Sequence, residues 1–113
     1  MAKKSRKNRI KDEKQRLSEI FKDLEKNKLD TCAALIDRAA FITVSLEDLE
    51  EQLNIYGWTE EYQNGENQYG VKKSAAADVH ISLTKNLNAI MKQLLELVPP
   101  AQKENRLAAL MNE

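Results

Sequence analysis

Eight of the first sixteen residues are lysine or arginine: Lys3, Lys4, Arg6, Lys7, Arg9, Lys11, Lys14 and Arg16, against Asp12 and Glu13. Eight positive and two negative charges leave +6 on this segment. Residues 17–113 carry ten positive and sixteen negative charges, a net of −6, so an overall charge of zero hides a basic arm on an acidic body. Clustered Lys and Arg neutralise phosphates and release counterions, which gives salt-dependent, sequence-tolerant binding to nucleic acid. The plainer reading is a solvated end that keeps the chain soluble. Residues 39–71 contain no Lys or Arg but include Glu47, Asp48, Glu50, Glu51, Glu60, Glu61 and Glu66. That stretch repels DNA and suits solvent or a basic protein. It is expected toward the other end of the fold, away from the basic arm.

Other chemistry is scarce. There is one histidine, His80, and one cysteine, Cys32, with no glycine-rich phosphate loop and no metal-ligand spacing. His80 falls within an apolar helical seam and reads as a packed or interface histidine making one hydrogen bond. Cys32 reads as a small core residue. No nucleophile has a visible partner, so no enzyme, cofactor or metal is expected. One cysteine cannot form a disulfide within the chain. No apolar run approaches the roughly 20 residues that span a membrane. The basic start is not followed by an apolar h-region, and a cytosolic protein is expected.

The elements follow from hydrophobic period. Residues 1–9 lack an apolar anchor over most of their length and read as a disordered basic arm. Ile10, Leu17, Ile20, Phe21 and Leu24 form one stripe, which predicts a short helix over about 10–26. Cys32, Leu35, Ala39, Ile42, Leu46, Leu49 and Leu53 step alternately by three and four, an unbroken heptad seam. It predicts a helix over 29–56, capped by Asn27 or Asp30 and stopped at Gly57. The seam keeps phase across the β-branched Ile42-Thr43-Val44-Ser45, so this helix should be continuous. Ala76, His80, Leu83, Leu87, Ile90, Leu94 and Leu97 make the matching seam of a helix over 74–98, with Ser74 as N-cap and Pro99-Pro100 as terminator. Residues 99–113 read as a tail or a short amphipathic helix carrying Leu107, Ala108, Leu110 and Met111.

The connector, residues 57–73, holds Trp58, Tyr62 and Tyr69 beside the turn dipeptide Asn64-Gly65. Its aromatic residues are expected to pack it onto the tip of the helical hairpin, with at most a minor β-hairpin. The fold class is therefore all-α: a short N-terminal helix plus a long antiparallel helical hairpin in one helical domain, 10–98. Phe41, Ile55, Val79, Met91 and Leu95 lie off the two seams, as do Leu29, Ile36 and Val98. The hairpin is thus apolar on more than one side and needs another chain to cover it. An oligomeric, ring-like bundle is expected, with Phe41, Ile55, Val79, Met91 and Leu95 at the interface.

The order of these pieces resembles a known family. "DRAAFITVSLEDLEEQL" leads to Gly57, "YQNG" and "KKS" follow, and the last long helix closes on "LLELVP". Over about residues 17–100 this resembles the small subunit of phage terminase, in the short branch from tailed phages of Gram-positive bacteria. The resemblance implies a DNA-packaging protein that binds double-stranded viral DNA, assembles into a ring and regulates the large ATPase and nuclease subunit in the cytoplasm of the infected bacterial host. Two departures stand out. No helix-turn-helix precedes the hairpin, and Ser74-Ala75-Ala76 replaces the proline often found near the start of the last long helix. DNA contact is thus more strongly expected than sequence-specific recognition. The competing class is a small oligomeric coiled-coil regulatory or scaffolding protein without DNA binding.

Overall fold

The computed structural model describes residues 4–112. Four helices and a two-stranded ribbon run in the order α1 (Arg6–Ile20), α2 (Lys26–Tyr56), β1 (Thr59–Gln63), β2 (Tyr69–Lys73), α3 (Ala75–Glu96) and α4 (Lys103–Met111), with a 3-10 turn at Pro100–Gln102. The chain is mostly helical, as expected, but the small sheet takes it out of a strict all-α class.

Helix α1 starts four residues earlier than the apolar stripe suggests. Ser5 is its N-cap, with the hydroxyl accepting from the Asn8 amide at 3.2 Å, so Arg6 to Arg9 form helix and not a disordered arm. The helix also ends earlier, at Ile20, because Phe21 turns into the core and Leu24 follows it. Helix α2 then begins at Lys26, ahead of both expected caps, and runs unbroken for 31 residues, about 46 Å. Ser45 does not interrupt it, since its hydroxyl donates back to the Phe41 carbonyl at 2.8 Å. Gly57 stops it with φ +85°, a left-handed conformation that suits glycine.

Helix α3 opens on Ser74, whose side chain accepts from the Ala77 amide at 3.1 Å. Asp78 adds favourable negative charge in the first turn. At its other end α3 lacks a basic residue of its own in the last turn, and Lys28 of α2 supplies one, donating to the Leu97 carbonyl at 3.2 Å. Helices α2 and α3 form the expected antiparallel hairpin. Helix α1 packs antiparallel along α2, with Leu17 and Phe21 near Cys32 and Ile36, and Arg9 near Glu47 and Asp48.

The core lies at the base of the hairpin, remote from the ribbon. Leu17, Phe21, Cys32, Ile36, Ala39, Leu94 and Val98 are buried together, with Leu24, Leu35, Leu87, Ile90 and Leu110 against them. Ile36 and Val98, expected among the surplus apolar residues, are thus core. Toward the ribbon the hairpin thins to two helices, held by Leu46, Leu53 and Ala77.

The connector departs from expectation. It is a regular antiparallel ribbon, with Thr59 opposite Lys73, Glu61 opposite Val71 and Gln63 opposite Tyr69. Every residue of it is exposed except the half-buried Gly70, so it projects from the tip and does not pack on it. Tyr62 spans the ribbon over Gly70, where an added Cβ would sit 2.5 Å from its ring. Trp58 alone among the connector's aromatics meets another ring on the helices, crossing edge-on to His80 at 5.3 Å.

Gly57→Ala finds open space for its Cβ, so only the backbone resists it. It is expected to destabilise the protein by about 1 kcal/mol, read as a lowered Tm. A Tm that is unchanged or raised would show that the end of α2 does not depend on this φ.

Candidate nucleic-acid interface

Helix α1 sorts its basic residues by type. Residues three and four apart share one face of a helix, which puts Lys7, Lys11 and Lys14 on one side and Arg6, Arg9 and Arg16 on the other. The arginines point toward α2. Arg9 is the most enclosed, with its side chain 16 % exposed, and it donates to Asp48 Oδ1 at 2.6 Å and Glu47 Oε1 at 3.1 Å. Arg6 donates to Asp48 Oδ2 at 2.8 Å and to the Ser45 hydroxyl at 2.5 Å, and its guanidinium lies 4.9 Å from the centre of the Phe41 ring. Arg16 closes on Glu13 within its own helix, through Nε at 2.6 Å. Arginine suits this side because its planar fork reaches two acceptors at once and its weakly hydrated face tolerates partial burial and stacking. The carboxylates of Asp48 and Glu47 hold the Arg9 guanidinium charged even more firmly than usual.

Lys7 and Lys11 point outward. Lys7 and Lys11 make no ion pair among the described residues, and both are exposed. Lys14 reaches Asp37 at 3.3 Å, and Lys4, just before the N-cap, reaches Asp12 at 2.8 Å. This contact with Asp12 raises the Lys4 pKa. Lys3 lies outside the described residues. The expected DNA-binding set is therefore split in two. Lys7 and Lys11 are open to a ligand, flanked on the same side by Lys14 and Lys4, which are each held by an acid, whereas Arg6, Arg9 and Arg16 are engaged by acids on the other side.

The acidic stretch is not at the far end. Because α1 runs antiparallel to α2, Glu47 and Asp48 sit under the first turns of α1 and bind its arginines. A signal for this was available. Arg6 is four residues before Ile10, and Arg9 and Arg16 flank the Ile10–Leu17 stripe, so cations at the edge of a packed face demand acids opposite them.

The remaining candidates sort cleanly. His80 Nε2 lies 3.0 Å from Glu50 Oε2 and pins α3 to α2 near the ribbon. Cys32 is buried in the core, and burial pushes its thiol pKa up. Among the described residues no group of His, Cys, Asp or Glu could hold a metal ion, and no helix is long and apolar enough to cross a membrane. Of the expected interface residues, Phe41, Ile55 and Val79 are 54 %, 67 % and 47 % exposed. Met91 is partly buried against the core, and Leu95 is half-buried, so these two are less available than the rest. No family model matches the chain, and no curated protein or solved structure is detectably similar to it.

Two measurements check this arrangement. Arg9→Ala should lower the Tm at low salt, and the loss should shrink as salt rises, whereas Lys7→Ala and Lys11→Ala should stay within about 0.5 kcal/mol of the parent. Equal effects from all three would mean that α1 does not divide its cations as described. Cys32 should resist alkylation at neutral pH until the protein is unfolded by denaturant; rapid labelling of the native chain would contradict its burial.

Proposed function

We propose that this chain is a self-associating DNA-binding protein acting as the small subunit of a phage terminase, which presents viral DNA to the large ATPase and nuclease subunit. The observation that carries DNA contact is the outward pair Lys7 and Lys11 on a folded helix, with Lys14 in line with them. Lysines at that spacing cover roughly 10 Å of helix at 1.5 Å per residue. That is comparable with successive backbone phosphates, and the contact needs no base readout. Because α2 lies antiparallel along α1 and engages its arginine side, α1 offers a ligand its lysine side, in keeping with binding through the backbone.

Self-association is supported by surface area. A monomeric protein of 12.9 kDa exposes roughly 6,300 Å² on the usual scaling with mass, whereas this chain exposes 8268 Å². Its radius of gyration is 18.2 Å, against roughly 13 Å for a compact domain of this length. The excess lies where the hairpin has only two helices, and there Ile55 and Val79 are exposed and Leu49 and Leu83 only half-buried. Neighbouring copies packed side by side along this part of the hairpin would cover it. In a closed assembly the lysine strips of several protomers act on one duplex, and weak contacts multiply through effective concentration.

The tests follow the two parts. Removing residues 2–9 would also remove the first turn of α1 and its grip on α2, so charge reversal is the cleaner probe. Lys7→Glu with Lys11→Glu should abolish most duplex-DNA affinity and flatten its salt dependence while leaving the helical signal and Tm intact. Full affinity in the double variant would move the DNA contact away from these lysines, and no affinity in the parent at low salt would favour the coiled-coil scaffold without DNA binding. The native mass should be a multiple of 12.9 kDa, reduced by Ile55→Glu with Val79→Glu; a monomer at micromolar concentration would sink the assembly.

A further inference from the structure

We infer that Glu47 and Asp48 act as a built-in phosphate mimic, occupying Arg6 and Arg9 until a DNA backbone displaces them. The inference rests on the DNA-binding reading above and concerns its regulation. Its ground is the geometry around Asp48. Each of its carboxylate oxygens receives one guanidinium, Arg6 at 2.8 Å and Arg9 at 2.6 Å, and Glu47 takes a second donor of Arg9 at 3.1 Å. One anionic group bridging two arginines is the arrangement a phosphate takes in such a pair.

The contact is also built to open. From Arg6 to Arg16 no residue of α1 is fully buried, and its apolar anchors, Leu17 and the following Phe21, lie at the other end. The first turns of α1 are held by these ion pairs, the Ser45 and Phe41 contacts of Arg6, and the half-buried Ile10. The partners are accessible, with Asp48 37 % and Glu47 57 % exposed. A polyanion captured by Lys7 and Lys11 on the same two turns raises the local phosphate concentration beside Arg6 and Arg9. Exchange of carboxylate for phosphate then adds two arginine contacts and releases the start of α1 from α2, with the core at Leu17 and Phe21 undisturbed. In the free protein the same pairs lower the effective positive charge of α1 and suppress weak binding to stray polyanions.

The test is duplex-DNA binding by full-length variants over about 50 to 200 mM salt. Asp48→Asn, which removes the carboxylate charge that the two arginines share, should raise affinity several-fold and steepen the salt slope by about 0.9 for each phosphate newly contacted. Glu47→Gln should give a smaller gain and serves if Asp48→Asn fails to fold. Glu61→Gln, on the exposed ribbon, removes one negative charge without touching an arginine and should change little. The gain from Asp48→Asn should vanish when Arg6 and Arg9 are both glutamine. Parent binding that depends on Lys7 and Lys11, but is unchanged or weakened in folded Asp48→Asn and Glu47→Gln, overturns the mimic and leaves the DNA reading standing. An equal gain from Glu61→Gln also overturns the mimic, since the effect would then be one of net charge. No binding by the parent or any variant overturns both.

Discussion

Burial of one small cluster at the base of the hairpin governs the molecule. Leu17 of α1 and Phe21 just after it, Cys32, Ile36 and Ala39 of α2, and Leu94 of α3 with Val98 just beyond its end bring three helices together at one level, with Leu110 of α4 lying over them. Phe21, Leu17, Leu94 and Val98, four of the six largest fully buried side chains, lie there. Everything beyond that level is held by thinner means: the two-helix seam through Leu46 and Leu53, the His80–Glu50 contact, and the ion pairs along α1. Stability in such a fold is graded along its axis, greatest at the base and least at the ribbon and the start of α1.

This gradient explains why polar contacts matter so much in so small a protein. Exposed ion pairs in general contribute little. Those of Arg9 are partly enclosed, share the carboxylate of Asp48 with Arg6, and act where α1 itself has no fully buried residue. They orient α1 rather than drive its formation. By fixing the arginines inward they also fix the lysines outward, so one set of contacts determines which charges a ligand meets.

Much of the architecture was legible in the residues. The heptad seams gave both long helices, the phase across Ser45 gave their continuity, and Gly57, Ser74 and Pro99 marked ends that the backbone respects. Three things were not legible, for different physical reasons. The start of α1 was hidden because Ser5 caps a turn with no apolar residue in it, and hydrophobic period is silent there. The ribbon was hidden because its strands bury neither face, so the alternation that betrays a half-buried strand is absent; its register instead comes from Asn64-Gly65 and the Tyr62–Gly70 fit. The pairing of Arg6 and Arg9 with Glu47 and Asp48 was hidden because charge counts along the chain assign each acid to its neighbours in sequence. Antiparallel packing of α1 joins residues 38 to 42 positions apart. Reading the arginines and lysines as separate sets would have exposed it.

The ribbon closes on itself where it leaves the helices: the Ser74 amide donates to the Trp58 carbonyl at 3.0 Å, directly between the stop of α2 and the cap of α3. Above that bond, among the described residues, only the Lys73–Asp78 ion pair at 3.1 Å ties a strand residue to the helices. The tip can therefore lengthen or shorten without shifting the phase of either seam, provided that residues enter both strands together. Adding two per strand preserves which side chains face which way, while adding one reverses every outward and inward position beyond the change. The ribbon is in this sense an interchangeable cassette on a fixed mount, a place where related chains can differ in length and surface while the helical hairpin beneath keeps one geometry.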